Sequence, residues 1–495
     1  MIQNITTKKK FYLANKEIWH NENAKYMNDE CIYVIHALSF HFEYNVLLDI
    51  VAKGLQQRYK LPIYAFSVGD DAYSFVEGDA SFGIEGIYID EYKRLMDFDS
   101  ENGTEIERIV EELFGNKEKI LKFQYKNIKC GDYIWDYMMG ISFDLKNISK
   151  ENFKNIISKT LSIIETAFLL FYEKKPSYVV VDEAIKMEGL YACVAAYLGA
   201  KVVVPNLEFK YQFIISPIDG KIDAIAKKRG KAFLNAANND DIICNNYFMY
   251  DTPEKNIIDK RLDNGNKNVF IFLHVFSDAP RMSYDNIIYT DYVEWFLDTL
   301  KIISDVSNVN WIIRDHPAAK GTNQPIYIKN HCASLSKDNI FYAEDGMSRD
   351  YIISKADAIV TCAGDVGLEY WAYGIPTIML AESFYNDYGI SYLMHDKNEY
   401  IKTLHSLDSL DTPTEESINT ARKIISKYRN SMTTEDSLMR LFQRVRNREI
   451  QGIRLEYRDY DLYDYEFIKG YIGLIHQGKI KKSSCYTLDY LLEAE

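Results

Sequence analysis

Three short segments in the second half of the chain carry side chains able to hold a phosphate, and each follows an apolar run. The first is Thr361 to Met379, TCAGDVGLEYWAYGIPTIM. A strand ending at Thr361 or Cys362 leads through a small-residue turn, Ala363 and Gly364. A helix then begins near Asp365 or Val366 and runs to about Tyr373. Such a turn aims free backbone N–H groups and the positive end of a helix dipole at the strand's carboxyl edge, which suits an anion. Glu369, a turn into the helix, offers a carboxylate to ribose hydroxyls. The second segment is Trp311 to Pro317, WIIRDHP, an apolar strand that delivers Arg314, Asp315 and His316 to its end before Pro317 stops it. Arg314 and His316 can each donate to a phosphate oxygen. The third, Leu273 to Pro280, LHVFSDAP, sets His274, Ser277 and Asp278 in the loop after another strand. Each has a plain structural alternative. Glu369 can sit in an ordinary turn-helix, His316 can be structural, and Ser277 and Asp278 can shape a turn and cap the next element.

The elements that must position these residues alternate strand and helix. Val269 to Val275, Asn310 to Arg314, Ile340 to Ala343, Ala358 to Cys362 and Pro376 to Leu380 read as strands. Helices at Tyr292 to Ser304 and Arg349 to Ser354 lie among them, an α/β pattern with a parallel sheet. The first half repeats the theme. Cys31 to Ala37 and Leu61 to Val68 flank a helix at Val46 to Arg58, and Asn152 to Glu173, Ser177 to Val181, Met187 to Leu198 and Lys201 to Pro205 resume it. The expected fold class is therefore α/β, with two Rossmann-like domains facing a cleft. The boundaries are 1–245 with a helical insertion at about 70–147, a linker at 246–267, a second domain at 268–450, and a tail at 451–495 able to pack back on the first domain.

Composition narrows the function. The chain has 495 residues, 47% hydrophobic and 26% charged, with a formal charge of −14. An acidic chain lacks the basic face a nucleic-acid binder needs. Its seven cysteines form no Cys-x-x-Cys pair, the usage of a reducing compartment without a disulfide framework or zinc site. No segment reads as a signal peptide, and none approaches the roughly 18 apolar residues of a membrane span. The expected location is cytoplasmic, with peripheral association at the inner face of a membrane compatible with this reading.

His316-Pro317 after a strand, DAIVT at Asp357 to Thr361, Gly367-Leu368-Glu369, Gly374-Ile375-Pro376-Thr377-Ile378 and FYNDYGI at Phe384 to Ile390 form an ordered set. Over about Asn268 to Leu393 it resembles the bacterial capsule and surface-polysaccharide glycosyltransferases of GT-B fold, nearest in character to those transferring Kdo and sialic acid. The resemblance implies a nucleotide-sugar substrate, CMP- or UDP-linked, with no further cofactor and no metal. It implies His316 at the donor phosphate, Gly364 and Asp365 in the phosphate turn, and Glu369 at the ribose or base. His274, Ser277, Asp278 and Arg314 complete the donor set. The acceptor would be a glycan or glycolipid hydroxyl. Many retaining relatives carry paired glutamates eight apart, but the residue eight beyond Glu369 is Thr377, which favours inversion. Relatives also place Ser or Thr where this chain has Ala363, Gly364 and Asp365.

An inverting transfer needs a base for the acceptor hydroxyl. Strand ends in the first domain offer Asp182, Glu183, His41 and Glu43, in that order, although Asp182 can instead cap a helix and Glu43 can be solvated. Three other readings fit the same residues. They are a nucleotide-sugar 2-epimerase, a polyol-phosphate transferase, and a non-catalytic glycan-assembly partner whose phosphate turn, with Asp365, has decayed.

Overall fold

Runs such as CIYVIH and VNWIIR are apolar on both faces, which suits strands covered by helices above and below. The structure, a computed structural model, describes residues 2–19, 26, 28–36, 42–67, 72–87, 91–181, 187–205, 212–215, 259–283, 286–343, 347–383, 385–431, 441, 449–450, 453–454 and 460–479. The chain divides into two units. One comprises Met1–Ile134, Ser149–Ile225 and Asn430–Glu495, and the other Trp135–Ile148 and Ala226–Arg429.

The first unit contains β1 (Glu30–His36), β2 (Ile63–Ser67), β3 (Glu85–Ile87), the hairpin β4 (Gln124–Tyr125) and β5 (Ile128–Lys129), β6 (Lys175–Val181), β7 (Lys201–Pro205) and β8 (Gln212–Ile215). Six of these form a sheet in the order β3-β2-β1-β6-β7-β8, parallel except for the β7–β8 pair. The expected insertion at 70–147 therefore needs correcting at both ends. Its β3 belongs to the main sheet, and Trp135–Ile148 goes with the second unit. A three-residue edge strand, Glu-Gly-Ile, has too little apolar run to announce itself.

Helices Ile2–Trp19 and Tyr460–His476, from opposite ends of the chain, pack together in this unit. The Phe11 and Tyr471 rings lie 4.8 Å apart, and the Tyr471 hydroxyl donates to Asn15 Oδ1 at 2.8 Å. Asn15 Nδ2 in turn donates to Ser81 Oγ at 2.9 Å. Helix Lys150–Glu173 starts two residues earlier than periodicity suggests because Ser149 caps it, its hydroxyl accepting the Asn152 N–H. By length and composition this helix is apolar enough to cross a membrane, yet 72% of its apolar window is buried in the protein.

The second unit holds β9 (Lys267–Phe272), β10 (Val309–Arg314), β11 (Ile340–Tyr342), β12 (Ala358–Thr361), β13 (Thr377–Met379) and β14 (Tyr392–Leu393). They form one parallel sheet in the order β11-β10-β9-β12-β13-β14. Each unit is thus a Rossmann-like α/β layer structure whose first strand is central and whose later strands add on both sides. Phe270, Ile312, Ile359, Tyr370 and Ile375 build one side of the second core.

Trp135–Ile148 is bound into the second unit by polar bonds. The buried Asp136 carboxylate accepts the N–H groups of Met282 at 2.9 Å and Arg281 at 3.3 Å, at the start of the short helix Pro280–Ser283. Trp135 Nε1 donates to Asp291, which itself caps helix Tyr292–Ile303. The Phe143 ring meets those of Phe276 and Tyr327 edge-on.

Candidate functional site

Strand register decides where the candidate residues come together. Phe272 of β9 is level with Arg314 of β10 on one side and with Thr361 of β12 on the other. The segments beyond them, Leu273-His274, Asp315-His316 and Cys362-Ala363-Gly364, therefore leave the sheet along one carboxyl edge. Between β9 and β12 the strand order reverses, so this edge is the switch point where open α/β sheets bind ligands.

His316 is exposed, and its geometry explains the His-Pro pair. Pro317 begins a 3₁₀ turn, Pro317–Ala319, and His316 caps that turn through Nδ1, which accepts the Ala318 N–H at 3.1 Å. With Nδ1 an acceptor, the neutral ring carries its proton on Nε2, a donor suited to a phosphate oxygen. The surrounding protein disfavours the charged ring and lowers its pKa, while the Asp278 carboxylate pulls it partly back up. Asp278 is itself exposed and Ser277 half-buried.

His274 has a different role. Its ring stacks on Tyr292, 4.6 Å between centroids and 8° from parallel, and its Nε2 accepts the Ala363 N–H at 3.4 Å. Burial, with the neighbouring His316, pushes its pKa down to about 3. A neutral His274 thus supports the β12 turn from below. A Cβ on Gly364 would lie 3.6 Å from His274 Nε2 and 3.3 Å from both Thr361 Oγ1 and Val366 Cγ1, so the turn has little room for a side chain. Tyr385, wholly buried, donates to the Gly364 carbonyl at 2.8 Å and ties it back.

The helix after this turn is shorter than expected, Val366–Trp371 rather than on to Tyr373, and Gly374 (φ 83°) takes the left-handed turn beyond it. Six residues give only a small dipole, so the turn's N–H groups matter more than the helix. Asp365 is the capping residue but makes no side-chain capping bond, and Glu369 is buried at 7% exposure. Arg314 is half-buried, its guanidinium 5.2 Å from the Phe272 ring centre. Further along the same edge, at the end of β14, Asn286, Ile288, Met394, His395 and Lys397 line a cleft of about 510 Å³.

No protein-family model matches the chain, and no curated protein matches it in sequence. Comparison of structures does return solved proteins, all distant in sequence. The UDP-GlcNAc 2-epimerase of Neisseria meningitidis, bound to UDP-GlcNAc, is 12% identical over 81% of this chain and 99% of its own, with a TM-score of 0.25. A lipopolysaccharide outer core galactosyltransferase is 10% identical over 82% and 99%, with a TM-score of 0.30. The β-Kdo 2,7-transferase of Thermosulfurimonas dismutans is 14% identical over 52% and 79%, at 0.28. The two-sheet architecture itself stands on the strand order and register above.

Residues that the motifs did not reveal hold the site. Gln324, 1% exposed at the start of helix Gln324–Ser334, makes three bonds. Its Oε1 accepts the Phe276 N–H at 2.6 Å, and its Nε2 donates to the His274 carbonyl at 2.7 Å and to Asp315 Oδ1 at 2.6 Å. One amide thereby joins the loops after β9 and β10.

Among the proposed bases, Asp182, Glu183 and His41 lie outside the described residues. Glu43 sits in the first turn of helix Phe42–Tyr59 and is buried, 6% exposed, rather than solvated. The notable group at the end of β1 is instead His36. Its Nδ1 is 2.9 Å from Asn45 Oδ1, and its Nε2 is 2.9 Å from Asp79 Oδ1 and 3.4 Å from Asp49 Oδ1. Burial alone would lower the His36 pKa, but the two carboxylates outweigh it and raise it. Burial, with Asp79 beside it, pushes Asp49 up.

Gln324 and His274, which brace this edge, can both be tested by stability. Gln324→Leu strands the Phe276 N–H and the His274 carbonyl, at about 1–3 kcal/mol for each group. Gln324→Glu fails to rescue it, because a carboxylate cannot donate to His274 or Asp315. Urea unfolding of the second unit reads both, and a Gln324→Leu variant as stable as wild type would contradict the assignment. For His274 the folded pKa lies below the ordinary 6.5, so its contribution is complete above 6.5 and declines as pH falls towards about 3. The stability gap between wild type and His274→Gln should therefore narrow between pH 6.5 and 4. A gap independent of pH would show that the ring is not held neutral.

Proposed function

We propose that the second unit binds the phosphate of a nucleotide sugar, and that the chain is a GT-B-type glycosyltransferase acting on a hydroxyl of a surface glycan. The observation that carries this reading is the convergence of His274, His316 and Gly364 from three adjacent strands at the switch point. A neutral Nε2–H donor on His316 beside a turn with little room for a side chain suits a phosphate oxygen. The motif set from Asn268 to Leu393 supports the sugar-transfer class.

In the proposed step the acceptor oxygen attacks the anomeric carbon and the bond from that carbon to the phosphate oxygen breaks. The hydroxyl proton passes to a base, and Asp182, Glu183, His41 and Glu43 are the candidates. The phosphate leaves with negative charge, which the His316 N–H and the N–H groups of the β12 turn stabilise where it develops. Inversion, a CMP- or UDP-linked donor, a glycan or glycolipid acceptor, and transfer with no metal or added cofactor complete the reading. Arg314 closes β10 at this edge, Glu369, a turn into the helix after β12, is the candidate for the ribose or base, and Asp278 acts on His316 through its charge.

A nucleotide-sugar 2-epimerase would use the same phosphate edge, and product analysis separates the two, since an epimerase converts the donor with no acceptor present. Thermal shifts with CMP, CDP, UDP and GDP test the site itself. A nucleotide at about 100 times its dissociation constant adds roughly 2.7 kcal/mol to the wild type. One nucleotide is expected to stabilise wild type strongly and His316→Ala and Glu369→Ala much less. No stabilisation by any of the four would refute the donor site and favour a non-catalytic assembly partner.

A further inference from the structure

The group at the end of β1 belongs to the first unit, and the proposed transfer makes no use of it. His36, Asp49 and Asp79 are 0%, 3% and 2% exposed and come from three elements: β1, helix Phe42–Tyr59 and helix Ala72–Ser81. One oxygen or nitrogen from each lies within 4.8 Å of the other two. Asp49 Oδ1 is buried yet makes no hydrogen bond, although it faces His36 Nε2 at 3.4 Å.

We propose that His36, Asp49 and Asp79 form a closed binding site for one divalent transition-metal ion, of which zinc is the model, fastening the end of β1 to two helices. Three observations meet here. A tetrahedral ion with ligands at about 2.0–2.2 Å needs those ligands about 3.3–3.6 Å apart. The His36–Asp49 separation of 3.4 Å fits as it stands, and the His36–Asp79 separation of 2.9 Å needs to open by only a few tenths of an ångström. Asn45 Oδ1 holds Nδ1 on the far side of the ring, the outer partner that turns a histidine's Nε2 lone pair towards a metal. Asn45 and Asp49 are one helical turn apart, so a single helix face supplies both the ligand and the group that orients the ring.

Charge points the same way. Two carboxylates shut off from water are costly without compensation. A divalent cation balances both while the imidazole stays neutral, and it gives Asp49 Oδ1 a closer partner than the 3.4 Å contact with His36 Nε2. The ligand atoms are nitrogen and oxygen with no thiolate, a set that takes Zn²⁺, Co²⁺ or Mn²⁺. No Cys or closely spaced His pair announces the site, because its ligands are far apart in sequence.

The test is to produce the full chain in medium supplemented with cobalt and to measure metal by mass spectrometry and visible absorption. The expected result is one cobalt per chain, with the intense bands of a tetrahedral site, lost in both Asp49→Asn and Asp79→Asn. Anomalous diffraction from the unaltered chain should place the ion among the three side chains, and this arm holds even if the variants fail to fold. A folded wild type without cobalt would overturn the proposal. So would cobalt kept equally by both folded variants, or an anomalous peak elsewhere.

Discussion

A single buried amide constrains the candidate donor site. Gln324 must present its oxygen to the Phe276 N–H, which can only donate, and its nitrogen to the His274 carbonyl, which can only accept. Chemistry thus fixes the side chain's orientation, and that orientation fixes the loop after β9 relative to Asp315 at the end of β10. His274 then reaches the β12 turn through the Ala363 N–H and Tyr292 stacks on its ring, so three neighbouring strands end in one braced edge. A phosphate bound there would meet groups whose positions are set before it arrives, the condition under which dipoles stabilise charge most.

That bracing separates the histidines into two roles. His274 supports the turn with its acceptor nitrogen occupied, whereas His316 spends its acceptor on capping and keeps Nε2–H as its donor. Residue type alone placed both in the same donor-binding set. The difference comes from which nitrogen each backbone N–H takes, and no sequence motif encodes that.

Much of the fold was legible because its strands are apolar on both faces. The central strands of both sheets, β1, β2, β6 and β7 in the first and β9, β10, β12 and β13 in the second, lie where the apolar runs lie. The elements that escaped have a short or ambiguous signal. β3 is three residues with a central glycine, and β14 is two residues long. Helix Tyr460–His476 reads as an acidic aromatic tail because tyrosine counts as either polar or apolar; only packing of Phe467, Ile468 and Tyr471 shows which side is buried. As candidates, Arg314 and His316 were legible because they close an apolar run, and Gly364 because it lies in the small-residue turn after Thr361. Gln324, Asp49 and Asp79 were not, because each acts across a distance in sequence that only the folded chain closes; Tyr385 stood in the FYNDYGI segment, but its bond to Gly364 did not show there.

The central claim is that the carboxyl edge shared by β9, β10 and β12 holds a nucleotide phosphate. Diffraction from crystals soaked separately with UDP and with CMP tests it most directly. Phosphate density is expected within hydrogen-bonding distance of His316 Nε2 and the backbone N–H groups around Gly364, with His274 unmoved beneath the turn. Nucleotide density elsewhere in the chain, with this edge filled only by solvent, would contradict it.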